Sequence, residues 1–446
     1  MSKLRETILD SLLRMEKDGA YSHLVIDHAL KAGTIQPKDE GLLTEIVYGT
    51  FQRKLTLDFY LDSFVPSRKK IAPWVWMLLR MSVYQMVYLT KVPDHAIIHE
   101  AVDIAKRRGH KGIASLVNGV LRNIQRKGVP DTASLSDTVE RIAIETSHPE
   151  WLVERWIAMY GEQLTKQMCE ANITRKPISV RVQPLKLSRN KAMQLLQEQG
   201  LQTRPSAFSD QGIIIDSGNI LKTDLFKDGF VTIQDQSSML VGEMLDVKPG
   251  MDALDACSAP GGKATHIAEK MKNQGRLYAY DLHAKKAKAV QQKAVELDLS
   301  IITADQADAR RLGDRHASES FDRILVDAPC SGLGVIRGKP EIKYNKKAAD
   351  IDKLAEIQRN ILQSIVPLLQ KDGQMVYSTC TVDRTENEAV VQSFLQDNPD
   401  VVIDDAFFAE LPEVLRDSPG ISQSGLQIFP QTFQTDGFFL TRFRKK

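Results

Sequence analysis

Two of the four cysteines in this 446-residue chain follow apolar, strand-like runs. Cys380 lies in VYSTCTV (376–382), and Cys330, 50 residues earlier, lies in VDAPCSGLG (326–334). A cysteine there is either small apolar filler or a thiol presented at a strand end as a nucleophile. A free thiol ionises near about pH 8.5, so the nucleophilic role asks for a nearby cation or strand-end dipole. Cys169 sits on an amphipathic helical stretch and reads as core filler, while Cys257 packs beside a glycine turn and contributes backbone. No cysteines form a CxxC pair or take zinc spacing, so neither a metal site nor a structural disulfide is expected.

The glycine turn is the run DACSAPGGKATH (255–266), which closes a strand and opens a helix. Its residues are Cys257, Ser258, Ala259, Pro260, Gly261, Gly262 and Lys263. Pro260 bends the turn, and the paired glycines let backbone approach a ligand closely. A P-loop would need a glycine where Cys257 stands, and adjacent glycines do not make the dinucleotide pattern GxGxxG. The N–H groups at a helix start suit a carboxylate as well as a phosphate, and S-adenosylmethionine carries one. Asp281 ends the next strand, RLYAYD, where an acid can accept both ribose hydroxyls. Asp308 follows the third strand, within reach of an adenine amino group.

Beside a methyl donor, the two thiols fit one chemistry. Carbon 5 of cytosine is too electron-poor to take a methyl group unaided. A thiolate adding to carbon 6 makes the ring an enamine whose carbon 5 is nucleophilic. The carbon-5 proton must then leave and the thiol must be expelled. Lys263 is the candidate cation, and Asp327 is the candidate partner for ring N3 and the exocyclic amine. Position alone leaves open which cysteine attacks.

Those residues need elements to hold them. Apolar runs at DALDAC, RLYAYD, IITAD, FDRILVDAP and QMVYSTCTV alternate with amphipathic helical stretches such as HAKKAKAVQQKAVEL and IDKLAEIQRNILQSIVPLLQ. Such alternation predicts a mostly parallel, doubly wound sheet, whose ligands bind at the carboxyl ends of the strands. The expected organisation is multidomain. Residues 1–140 form an all-helical domain and 141–230 a small α/β subdomain. Residues 231–446 form a Rossmann-like α/β catalytic domain. In the first domain, WVWMLLRMSVYQMVYL reads as helix core and GVPDTASLSD (128–137) as a linker. HPEWLVERWIAMYGEQLTKQMCEA reads as one long helix.

Composition is that of an ordinary globular chain, 42% hydrophobic and 26% charged. The start MSKLRETILD has no signal-like apolar core, and the run IAPWVWMLL stops at Arg80. A cytoplasmic protein without a membrane partner is expected. Net charge is +2 overall, but +4 within residues 1–140. Basic clusters at Arg68-Lys69-Lys70, at Lys106-Arg107-Arg108 with Lys111, and at Arg122, Arg126 and Lys127 suit a phosphate backbone.

The runs DACSAPGGK, YAYD, VDAPCSGLGVIRGKPEIKY, YSTCT with Glu386-Asn387-Glu388, and TDGFF resemble the Sun/NOL1/NOP2 family of RNA cytosine-5 methyltransferases. The helical N-terminal region resembles the NusB RNA-binding fold, and the segment around SHPEWLVERW resembles the small RRM-like subdomain that precedes these catalytic domains. That arrangement is the one of the family's RsmB (Sun/Fmu) branch, which methylates a cytosine of 16S ribosomal RNA. The resemblance implies Cys380 as nucleophile and Cys330 in the release step. It implies cofactor contacts from Cys257 to Lys263 and from Asp281, Asp308 and Asp327, leaving Asp327 open between cofactor and base. It also implies a monomer acting on 16S rRNA, free or within a small-subunit precursor. This chain departs at Ala264, where the family has threonine, at ADAR (307–310) in place of GDGR, and at Tyr344, which keeps an aromatic face for stacking in place of tryptophan. Two other readings fit the residues: a DNA cytosine-5 methyltransferase, whose Pro-Cys pair would make Cys330 the nucleophile, and a non-enzymatic RNA-binding assembly factor.

Overall fold

The computed structural model describes residues 2–33 and 35–446. Two compact units divide the chain. One holds the residues up to Thr174 together with Ile336–Lys346; the other holds Arg175–Val335 and Lys347–Lys446. This division by compactness falls at Thr174, beyond the domain boundary expected at 140. The helices Thr138–Thr146, Glu150–Tyr160 and Glu162–Asn172 pack on one another, and residues of the first anchor to the N-terminal helices. Ser147 Oγ accepts the Leu55 N–H at 2.8 Å, and Thr56 donates to the Ile144 carbonyl. The single long helix expected over 148–171 is two, because Gly161 (φ 81°) interrupts the helical backbone.

The helical unit packs around Pro73–Tyr88, in which every residue from Val75 to Gln85 is buried. Arg80, buried there, makes two hydrogen bonds to Asp58 at 2.6 and 2.7 Å, and Trp76 Nε1 adds a third at 2.7 Å. The later segment Ile336–Lys346 belongs to the same unit. Lys343 donates to the Gln52 carbonyl at 2.9 Å, and burial drives its amine well below the ordinary lysine range. Tyr344 packs edge-on against Phe51 and beneath the Lys54 ammonium, and its hydroxyl meets Gln52 and Ser147. Its half-buried ring packs against the helical core, where the sequence suggested a stacking face.

In the second unit the small subdomain is a four-stranded antiparallel sheet of β1 (Ile178–Val182), β2 (Gln202–Pro205), β3 (Gly212–Ser217) and β4 (Val231–Ile233), in the order β2-β3-β1-β4. Its core is Val180, Val182, Leu196, Ile213, Ile215 and Val231. The large sheet contains β5 (Asp252–Asp255), β6 (Arg276–Asp281), β7 (Ile302–Gln306), β8 (Phe321–Asp327) and β9 (Leu369–Thr379). It continues with β10 (Val401–Ile403), β11 (Ile421–Ser422), β12 (Gly425–Ile428) and β13 (Phe438–Lys445). The order is β11-β12-β13-β9-β8-β5-β6-β7, with β10 also on β13. From β7 to β9 the pairs are parallel, and β13 runs antiparallel to β9, from Phe439↔Thr379 to Arg444↔Gln374. The chain steps outward from β5 to β7 and returns as β8 on the other side of β5. That reversal opens a crevice at the strand ends between β5 and β8, where doubly wound sheets bind ligands.

Candidate active site

The crevice gathers the sequence's candidate residues. Asp327 ends β8 and Cys330 follows three residues later; Cys380 comes directly after β9, the neighbouring parallel strand. The two thiols stand 3.3 Å apart, and neither is in a disulfide. Lys263 reaches in from the glycine turn, with Nζ 2.7 Å from Asp327 Oδ2, while Ser378 Oγ donates to Asp327 Oδ1 at 2.8 Å. The Phe438 ring lies 5.1 Å from the same ammonium. Burial works against the Lys263 charge, but Asp327 and Cys380 outweigh it and hold the lysine protonated above its ordinary range. The Cys330 thiol is pushed well above the usual thiol range by its hydrogen bond to Cys380, by burial, and by the charges of Cys380, Glu386 and Asp327. Cys330 thus keeps its proton beside Cys380, whose charge supports the Lys263 ammonium.

The nucleotide end lies at the ends of β5, β6 and β7. Gly261 (φ 93°) precedes the helix Gly262–Lys270, in a left-handed conformation that glycine adopts without strain. The Ser258 N–H donates to the Tyr280 carbonyl at 2.7 Å, tying the turn to β6. Asp281 Oδ1 accepts from the His283 N–H at 2.9 Å. Asp308 is gripped by Arg310 at 2.6 Å and caps a short 3-10 helix, so an adenine contact there must share the carboxylate. Cys257 is raised well above the ordinary range by burial and then by Asp255, Asp327, Asp281 and Asp308, which places four acids around one turn. Its thiol therefore stays protonated. Cys169 is likewise buried, its thiol pushed to about 12 by desolvation.

Sequence reasoning passed over two features. Asp255, at the end of β5, is fully buried, and neither carboxyl oxygen makes a close hydrogen bond. Burial, helped by Asp327, lifts it to about 7. The second is the brace behind the thiols. Glu386 accepts from the Ser331 N–H at 2.8 Å and Gln358 Nε2 at 3.0 Å, and from the Ser331 hydroxyl. Tyr377 of β9 donates to the Glu386 carbonyl, and Gln358 also holds the Pro329 carbonyl. Asn387 links Thr379 and Thr381, the residues flanking Cys380, to Gln427 of β12. The signal was the Glu386-Asn387-Glu388 run, quoted as a motif without a role. Acids in a buried turn between a cysteine loop and a helix are most economically explained as acceptors for that loop's donors.

The donors and acids fit S-adenosylmethionine. The helix start offers N–H groups for its carboxylate, Asp281 suits the ribose, and the buried Ser258 hydroxyl and Asp255 carboxyl add polar groups at the turn that make no close hydrogen bond elsewhere. His95 and His99 are spaced as HxxxH on one helix, yet no group of three metal-ligating side chains occurs among the described residues.

Comparison with known proteins agrees. Residues 243–444 match the family described as 16S rRNA methyltransferase RsmB/F, residues 2–126 the NusB family, and residues 148–221 the ferredoxin-like domain of RsmF/B-like methyltransferases. A protein of Bacillus subtilis (strain 168), "Probable ribosomal RNA small subunit methyltransferase B", is 47% identical over 445 residues, 100% of this chain and 99% of its own. One solved structure is similar over the whole chain, with a TM-score of 0.82, 25% identity, and coverage of 100% of this chain and 99% of that one. A methyltransferase homologue from Pyrococcus horikoshii matches 70% of this chain and all of its own at a TM-score of 0.60 and 26% identity. Fold and site together define an S-adenosylmethionine-dependent methyltransferase with a NusB domain, a ferredoxin-like domain and a Rossmann-like catalytic domain. Within that class, the chain belongs to the ribosomal RNA small subunit methyltransferase B family.

Proposed function

We propose that this protein methylates carbon 5 of a cytosine in 16S ribosomal RNA through a covalent bond between Cys380 and carbon 6. The observation that carries the reading is the pair of thiols 3.3 Å apart at adjacent strand ends, in unlike electrostatic settings. The charges of Cys380 and of the Lys263 ammonium support one another, which suits Cys380 to attack as the thiolate. Cys330 holds its proton beside that sulfur, which suits it to the release step: it can give that proton to the Cys380 sulfur as the bond to carbon 6 breaks, and the Cys330 thiolate so formed takes up the carbon-5 proton. Asp327, held by Lys263 and Ser378, would pair with ring N3 and the exocyclic amine. Cys257 to Lys263, Asp281 and Asp308 would hold S-adenosylmethionine, which when bound supplies an electrophilic methyl group. The ferredoxin-like and NusB domains support an RNA substrate over DNA.

The test is a denaturing gel after incubation with methyl-labelled cofactor and unmodified 16S rRNA. Wild type should label RNA, Cys380→Ala should give neither product nor adduct, and Cys330→Ala should accumulate a covalent protein–RNA species. Normal turnover by Cys380→Ala, or an adduct trapped by that variant while Cys330→Ala is inert, would overturn the assignment of the thiols.

A further inference from the structure

Arg181 belongs to β1 of the ferredoxin-like domain, yet its buried guanidinium is spent on the helix that follows the glycine turn. Nε and Nη2 bind Glu269 bidentately at 2.7 and 2.8 Å, and Nη2 also donates to Thr265 Oγ1 at 2.9 Å. Nη1 donates to the Gly262 carbonyl at 2.7 Å and to Gln234 Oε1. Thr265 Oγ1 in turn donates to the Gly261 carbonyl at 2.9 Å. Gln211 Nε2 adds a hydrogen bond to Glu269 at 2.8 Å.

These contacts fall on two particular peptide groups. A peptide is planar, so fixing a carbonyl fixes the N–H of the next residue. Thr265 on the Gly261 carbonyl thereby sets the Gly262 N–H, and Arg181 on the Gly262 carbonyl sets the Lys263 N–H. Those are the helix-start donors suited to the cofactor carboxylate. We propose that Arg181, through Thr265 and Glu269, is a positioning residue that presets these donors, so that part of the affinity for S-adenosylmethionine is determined by the ferredoxin-like domain. A bidentate arginine–carboxylate pair in a desolvated setting has the rigidity this needs, and lysine cannot reproduce its fork. The inference rests on the reading of the glycine turn as the cofactor site.

Calorimetric titration of S-adenosylmethionine into the full chain tests it. Arg181→Met is combined with Glu269→Gln so that no buried charge is left unpaired. Thr265→Val is a milder companion, and Asp281→Ala checks the site itself. The double variant should keep its circular dichroism spectrum and bind the cofactor about tenfold more weakly. Amide exchange over residues 262–265 should quicken in the cofactor-free protein. Thr265→Val should lose about threefold, and Arg181→Lys with Glu269 intact should restore only part of the affinity. Wild-type affinity in a folded double variant and in Thr265→Val, with Asp281→Ala impaired, would reduce Arg181 to a structural role and overturn the proposal. Should the double variant not fold, Thr265→Val alone decides. If Asp281→Ala also binds normally, the cofactor-site reading fails and the proposal with it.

Discussion

Single side chains divide the labour of the crevice by their charge settings. Lys263 is held protonated by Asp327 and Cys380, so its ammonium is available to the neighbouring sulfur throughout the neutral range. Lys263→Met should cut single-turnover methylation at pH 7 by about 10–100-fold and move the rising limb of the pH–rate profile to higher pH. A profile that keeps its wild-type position would separate the lysine from the nucleophile. Asp255 makes an opposite kind of prediction, about stability. Its folded-state value is raised from 3.8 to about 7, so the folded protein binds the extra proton between those values. Stability from this group is fully present below pH 3.8 and is lost as pH rises through 7. Asp255→Asn should therefore be the more stable protein at pH 8, by up to about 4 kcal/mol, with the advantage vanishing toward pH 4. Equal denaturant midpoints for the two proteins at both pH values would refute it.

At the scale of elements, the two cysteine loops are one assembly because backbone touches backbone behind them. The Gly334 N–H donates to the Cys380 carbonyl at 3.0 Å, and the Gly437 N–H donates to the Gly334 carbonyl at 2.8 Å. A Cβ on Gly334 would sit 1.9 Å from the Gly437 oxygen and 2.9 Å from the Cys380 oxygen. Both obstacles are main chain and cannot swing aside. Gly334→Ala should cost about 1–3 kcal/mol of stability and, by shifting Cys380, a much larger share of turnover. An active variant of wild-type stability would show that the loops adjust independently. The Glu386 brace predicts a related loss. Glu386→Ala leaves the Ser331 N–H without its acceptor, while the Ser331 hydroxyl keeps Thr381 and the Gln358 amide keeps the Pro329 carbonyl, a cost of about 1–3 kcal/mol. Chemical denaturation reads this directly. A loss below about 1 kcal/mol would mean that another group satisfies that N–H.

For the whole molecule, the relevant quantity is how charge is spread on the helical unit. The expectation that Lys106-Arg107-Arg108 faces phosphate is weakened by what the arginines touch. Arg107 pairs with Glu6 at 3.0 Å and Arg108 with Asp10 at 2.8 Å. Arg68 is likewise paired with Asp58 at 3.0 Å. Along the helix Lys111–Lys127, in contrast, Lys111, Arg122 and Arg126 fall on one exposed stripe, and the two arginines bond only neutral side chains among the described contacts. Reversing Arg122 and Arg126 to glutamate should weaken RNA binding and lower the salt slope by about 2, more than reversing Arg107 and Arg108 does. Filter binding across salt concentrations measures both slopes. The opposite ranking would return the stripe to ordinary solvated surface.

The class of fold, and the residues that gather in the crevice, were legible in the sequence by itself. Thiols after strand-like runs, a glycine turn opening a helix and acids at strand ends are local patterns, written in neighbouring residues and their periodicity. Strand–helix alternation told which end of each strand would face ligand, so Cys330, Cys380, Asp327 and Lys263 could be named before any of them was seen together. What only the tertiary structure decided depends on residues far apart in the chain. Gly161 split a helix that periodicity alone would have continued, and residues 138–172 joined the helical unit because their buried faces found partners there. Tyr344 was packed against the helical core through Phe51, Gln52 and Lys54, some 290 positions away. Arg181 and Glu386 acquired their roles in the same way. A buried charge must find partners wherever packing brings them, and the pattern of its immediate neighbours carries no record of which they will be.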